Sequence, residues 1–142
     1  MARAESIALI KRSPEEVWEY LSDLTHAPEY VPGLTHVVVS PGRIGPGTRV
    51  TEVRRNGHLR GVLEVVEWDP PERLRLKSGK IPLQADRLYQ LRPTPNGTLL
   101  SYETEIRGSG WAKLIELLIR GAIQRDTKTM VQAIKSQIEA RG

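Results

Sequence analysis

The sequence predicts an α+β protein in which an antiparallel sheet of about seven strands packs on one long C-terminal helix, with two short helices after the first strand. Three observations predict this class. From Leu34 to Arg107 the chain runs in β-branched segments about ten residues apart, separated by turn residues. From about Ser109 to Ala140 it turns helical in period and carries no proline. Between the first strand and the meander stands Ser13-Pro14-Glu15-Glu16, a well-formed helix start.

Taken in order, AESIALIK (4–11) reads as a strand ended by Ser13-Pro14. Ser13 suits an N-cap, Pro14 the first helical position and Glu16 the capping-box position, while both glutamates favour the positive end of the helix dipole. Val17, Trp18 and Leu21 share one apolar face until His26-Ala27-Pro28 breaks the pattern, and PEYVPG is expected to form a second short helix or turn. Six further strands follow: THVVVS, TRVTEVRR, LRGVLEVVEW, RLRLKS, ADRLYQLR and TLLSYETEIR. Asn56-Gly57 and Asn96-Gly97 mark tight hairpins, because Asn and Gly tolerate positive φ. In the last helix, Trp111, Leu114, Ile115, Leu118 and Ala122 form one stripe, and Thr127, Met130, Val131, Ile134 and Ile138 another. At about 100° per residue these stripes diverge by roughly 140°. Either the helix bends near Gly121 or its halves bury against different partners.

A chain of 142 residues suits one domain, residues 1–142, whose core buries roughly two-thirds of the unfolded surface. No apolar run reaches bilayer length, and the N-terminal segment is too short for a signal or anchor before Lys11 and Arg12, so a cytoplasmic location is expected. Without cysteine there is no disulfide framework, thiolate ligand or thiol nucleophile. Without phenylalanine, aromatic packing falls to three tryptophans and four tyrosines, whose polar tips prefer the edge of a core or cavity. The net charge of +4 comes from basic residues interleaved with acidic ones, not from a stripe. Specific nucleic-acid binding is therefore not expected, and membrane contact is at most peripheral.

Several segments carry a family resemblance. SPEEVWEYLSD, EYVPGLTHVVV, GPGTRV, VVEWDPPERL, NGTLLSYE and MVQAIKSQIEA stand in the order found in the START/polyketide cyclase-dehydrase-like (SRPBCC) superfamily, and the chain resembles it over essentially its whole length. That resemblance implies the helix-grip fold, a curved sheet gripping the long C-terminal helix. It also implies a cavity for lipids, quinones or aromatic intermediates. Some members cyclise or dehydrate their ligands, and some small bacterial members act with ribosomes or respiratory quinones, so fold is better specified than function.

No standard catalytic motif is present. His26, His36 and His58 lack metal-ligand spacing, so no metal and no other cofactor is expected. GRIGPG lacks the Lys-Ser/Thr of a phosphate loop, and no serine has a hydrolase context. Strand alternation supplies the remaining candidates: with Tyr89 and Leu91 on the concave face, Arg87 joins them, and Leu100, Tyr102, Thr104 and Ile106 form the matching set. A buried Arg87 needs a partner, either a polar ligand group or a rim carboxylate from Asp86, Glu103 or Glu105. Which of Glu67 and Trp68 points inward is left open by alternation, and Tyr30 is placed near the opening, as gate or packing. An apolar cavity is expected between the sheet and the first half of the last helix, with candidate lining residues Tyr30, Arg87, Tyr89, Leu91, Leu100, Tyr102, Thr104, Trp111, Ile115 and Leu118. Three functions fit: binding or transport of a small hydrophobic or aromatic molecule, a cyclase, aromatase or dehydratase using the same cavity, or a protein-interaction module. No catalytic residue stands out, and a monomer or a homodimer suits each. With no histidine in the concave set, binding is preferred over catalysis, and a paired, buried carboxylate at the cavity would reverse that preference.

Overall fold

The computed structural model describes residues 2–54, 60–78 and 83–141. Strand β1 (Ala2–Ile10) leads into helix α1 (Pro14–Ser22), whose start follows the predicted chemistry. The Ser13 Oγ accepts from the Glu16 N–H at 3.3 Å and bonds the Glu16 carboxylate at 3.1 Å. The second short helix is a 3-10 turn over Leu24–Glu29, earlier than PEYVPG, because Asp23 caps it by accepting from the Thr25 N–H. Strands β2 (Leu34–Val39), β3 (Arg49–Arg54), β4 (Arg60–Asp69), β5 (Arg73–Ser78), β6 (Leu83–Thr94) and β7 (Gly97–Gly108) precede helix α2 (Ala112–Glu139).

All seven strands form one antiparallel sheet in the order β1-β7-β6-β5-β4-β3-β2. It is a curled half-barrel holding α2 against its concave face, the helix-grip fold. Alternation decides what α2 meets: Ala2, Ala4, Ala8 and Ile10 of β1 are buried, whereas Ile7 and Leu9 face outward. The small β1 alanines let the helix approach closely, and Ile123 packs on Ala2 and Ala4. The β6–β7 hairpin turns at Pro95-Asn96, with positive φ at Gly97 alone. Glycine is needed there for a second reason, since a Cβ would collide with the Ile10 carbonyl of β1. Asn56-Gly57 and His58 lie outside the described residues.

A bulge between Val65 and Glu67 resolves the ambiguity in β4. The extra residue shifts alternation by one, so Trp68 pairs with Leu74 and turns inward to meet Trp18 edge-on, with ring centroids 5.1 Å apart. Glu67 lies outside, where it accepts from Arg73 at 3.0 Å and Arg75 at 2.8 Å.

Helix α2 overturns the two-stripe expectation. It runs uninterrupted through Gly121, and its buried face is one stripe in phase: Ala112, Glu116, Ile123, Thr127, Met130, Val131, Ile134 and Ile138, with Ile119 half-buried between. Trp111, Leu114 and Leu118 lie on the outside, 71%, 70% and 79% exposed. The physical reason is the tight β7–α2 turn. Gly108 comes so close to the Ala112 carbonyl that no side chain fits between them, and the Glu116 Oε2 accepts from the Gly108 N–H at 3.3 Å. A small residue and a carboxylate thus take the inward positions that hydrophobic periodicity assigns to the larger side chains.

Candidate functional site

Three strands and one turn converge on a buried polar cluster beside α2. The hairpin register sets Tyr89 opposite Tyr102 and Arg87 opposite Thr104 on the concave face, and the two tyrosine rings lie 4.7 Å apart. Arg87 donates two hydrogen bonds to Glu52, Nη1 to Oε2 at 2.8 Å and Nη2 to Oε1 at 3.2 Å. Glu52 belongs to β3, three strands away from β6. In a flat sheet that separation is about 14 Å, so curling and two extended side chains are both needed to close the pair. Gly61, the β4 partner of Glu52, has open space where a side chain would start.

The pair is deeply placed, with 15% and 7% of the Arg87 and Glu52 side chains exposed. A second cation, Arg54, reaches the Glu52 Oε1 at 3.5 Å and donates to the Pro32 carbonyl at 3.0 Å. Burial opposes the Arg87 charge, but Tyr102 and Glu52 outweigh it and the pKa moves upward. Burial likewise raises the phenols of Tyr30, Tyr89 and Tyr102, so all three stay protonated donors at neutral pH. Tyr30 and Tyr89 are hydrogen-bonded, as are Tyr102 and Thr104.

Next to this cluster, between the sheet and the middle of α2, is a cavity of about 140 Å³. Arg87, Tyr102 and Thr104 form its polar wall, with Ala85 and Ile106 beside them. Ile123, Asp126, Thr127 and Met130 face it from α2, and Val31, Pro32 and Arg54 close the remaining side. Of the residues singled out in the sequence, the structure therefore brings Arg87, Tyr102 and Thr104 onto the wall. Tyr89 and Tyr30 stand behind it as hydrogen-bonded support, and Leu91 and Leu100 pair deeper in the core. Trp111 and Leu118 point to the outside and Ile115 is only half-buried, so the first half of α2 does not supply the wall expected of it.

The partner of Arg87 is also not among the expected ones. Asp86 faces the other side of β6 and accepts from Arg75, Glu103 pairs with Arg3, and Glu105 binds Arg107. Alternation within β3, where Val50, Glu52 and Arg54 share a face, was the available clue to Glu52. Glu64 is similarly removed from the cavity, half-exposed and 3.8 Å from Arg49. His26 stacks on Tyr20 and bonds its carbonyl oxygen through Nδ1 at 2.8 Å, and His36 is exposed on β2. Among the described residues, no group of three or more His, Cys, Asp or Glu is arranged to hold a metal ion.

A match to the family described as polyketide cyclase / dehydrase and lipid transport spans residues 1–139. The chain belongs to this family. An uncharacterized protein of Mycobacterium tuberculosis, MT1597, is 28% identical over 114 residues, which is 76% of this chain and 78% of that one. Among solved structures, TTHA0849 from Thermus thermophilus superposes with a TM-score of 0.78 at 19% identity, covering 97% of both chains. The di-domain ARO/CYC StfQ from the steffimycin biosynthetic pathway gives 0.79 at 15% identity over 99% of this chain and 51% of that one. At these identities the structural neighbours show the fold alone, and family membership supports a ligand-binding or cyclase-like fold. No helix among the described residues is long and apolar enough to cross a membrane.

Proposed function

We propose that this family member binds a small hydrophobic or aromatic molecule bearing an oxygen acceptor, with its apolar part against Ile106, Ile123 and Met130 and its oxygen toward Arg87 and Tyr102. The observation that carries this is a cavity with an apolar strip from Ile106, Ile123 and Met130, whose sheet side presents a paired cation and a buried phenol. Its volume, about 140 Å³, sets the scale of the enclosed part. An apolar cavity of about 150 Å³ admits a single benzene ring, so one ring fits and a larger ligand extends toward Val31 and Pro32.

The buried carboxylate Glu52 gives the cyclase or dehydratase reading specific support, because paired acidic and phenolic groups beside a cavity are the raw material of acid-base chemistry. Both Glu52 oxygens, however, are turned to guanidinium groups, Arg87 on each and Arg54 on Oε1. The sheet side therefore offers a ligand donors, which recognise an oxygen or stabilise an enolate but do not themselves remove a proton, while the carboxylate in the lining, Asp126 of α2, sits at an exposed position away from the buried pair. Binding is the reading these atoms support best.

The test compares naphthalene with 1,4-naphthoquinone by calorimetric titration. The quinone should bind more tightly by about tenfold, the scale of one hydrogen bond to a charged group, and Tyr102→Phe should erase part of that preference. Tyr102→Trp should reduce uptake of both by filling the cavity. Equal affinity for the two compounds, or uptake untouched by Tyr102→Trp, would defeat the proposal.

A further inference from the structure

The outer face of the first half of α2 is an apolar surface that the cavity does not use. Trp111, Leu114, Leu117 and Leu118 are 71%, 70%, 65% and 79% exposed. At about 100° per residue, Leu114 and Leu118 fall within roughly 60° of Trp111, so these three form one ridge, with Leu117 on its flank. Leu83, which pairs with Gly108 at the turn into α2, adds another exposed leucine at the same end of the sheet. Scattered single leucines on a surface are ordinary, but a tryptophan and three leucines within eight residues of one helix face are not.

Along this stretch of the chain, from Ser109 to Arg125, the exposed charges are of one sign. Lys113 and Arg120 stand beside Leu117, on its far side from the ridge, and Arg125 continues the ridge two turns after Leu118, all exposed. Between Ser109 and Arg125 the sole acidic residue is Glu116, which is buried on the opposite side with Oε2 accepting from the Gly108 N–H. This arrangement discriminates between occupants. In a two-fold dimer built on this face, the basic groups of one copy would meet those of the other, since the next acid along the helix, Asp126, faces the cavity and not the ridge. An anionic bilayer answers all of them at once, accepts the leucines into its acyl boundary and suits a tryptophan at headgroup depth.

We infer that the outer face of Trp111–Arg125 is a docking surface for anionic lipid membranes. It holds the protein by partial insertion of Trp111, Leu114 and Leu118, with Lys113, Arg120 and Arg125 on the headgroups. The inference stands independently of what the cavity contains.

Sedimentation with vesicles tests it. The protein should bind vesicles of phosphatidylcholine mixed with phosphatidylglycerol, bind phosphatidylcholine alone at least about tenfold more weakly, and release as salt rises. Leu114→Gln with Leu118→Gln should weaken binding about tenfold or more, since two leucine side chains lose their place in the apolar layer. Glutamine keeps the helix propensity, and both sites are exposed, so the variant should melt with the parent protein. Lys113→Gln with Arg120→Gln should flatten the salt dependence. Absence of vesicle binding, equal binding to both lipid mixtures, or binding unchanged in the leucine variant overturns the inference. So does analytical ultracentrifugation showing a dimer that the leucine variant dissociates, because the face then belongs to a second copy.

Discussion

Replacing Glu52 with leucine should be far more damaging than its place on a short strand suggests. The substitution leaves the Arg87 guanidinium in a pocket where only 15% of its side chain reaches solvent, facing Tyr89 and Tyr102 in place of a carboxylate. Removing one member of a buried pair costs roughly 3–5 kcal/mol, because the remaining charge is uncompensated. Arg87→Met should cost less, about 2 kcal/mol, since Arg54 lies 3.5 Å from Glu52 and can take over part of the pairing. Glu52→Leu with Arg87→Met removes both charges and should cost about 1 kcal/mol, a coupling of about 4 kcal/mol or more in the double-mutant cycle. Urea unfolding followed by circular dichroism reads this directly. With a slope near 2 kcal/mol per molar, the Glu52→Leu midpoint should fall by about 1.5–2.5 M and the double variant should recover most of it. Additivity of the two substitutions within about 0.5 kcal/mol would refute the claim that these groups are buried as one unit.

Alkaline pH should unfold the protein steeply. The phenols of Tyr30, Tyr89 and Tyr102 have folded-state pKa values raised by burial above the unfolded value near 10. Their stabilisation is therefore complete below pH 10 and is lost as pH rises beyond it, at up to about 4 kcal/mol per pH unit for three protons. Tyrosinate absorbance should rise together with loss of the far-ultraviolet signal, and ionisation of all the tyrosines before unfolding would contradict their burial. Ile134→Ala, at a fully buried position on α2, should cost about 3 kcal/mol in chemical denaturation, whereas Leu118→Ala on the outer face should stay within about 0.5 kcal/mol. Similar losses at both positions would mean that the helix is rotated from the orientation described. Gly121→Ala should raise the melting temperature by a few degrees, since the exposed helical site has open space for a methyl group and gains about 0.5–1 kcal/mol. A lower melting temperature would show that the glycine serves a bend.

Much of this architecture is legible in local chemistry. Ser13 and Pro14 state where α1 begins, and the spacing of β-branched runs states the meander, because caps and turns depend on a few neighbouring atoms. Alternation likewise put Arg87, Tyr102 and Thr104 on the concave face, since a hairpin with a two-residue turn has little freedom of register. What could not be read depends on long-range closure. The Val65–Glu67 bulge reverses a face without any proline or glycine to announce it. The Arg87–Glu52 pair joins residues 35 apart across three strands, and only the curl of the sheet brings them together. Periodicity misled most in α2, where the strongest apolar stripe faces outward and a glutamate tied to Gly108 faces in. The cavity wall was accordingly sought one helix half too early, and Ile123, Thr127 and Met130 supply it.

The position of β1 beside β7 ties the beginning of the chain to its end. Ala2 pairs with Ile106, Arg12 donates to the carbonyl of Glu139 at 2.9 Å, and Lys135 donates to that of Leu9 at 2.6 Å. During synthesis, therefore, the first strand emerges with no partner. At about 5–20 residues per second, it waits roughly 5–20 s for β7, and longer for the helix that will cover Ala4 and Ile10. Throughout that interval the hairpins from β2 to β6 can zip together, but the sheet keeps an unfinished margin beside β6. Strand β1, made before the rest of its sheet, is thus among the last to be secured, and protein truncated on the ribosome before Gly97 should hold β1 open to protease while its central hairpins are already protected.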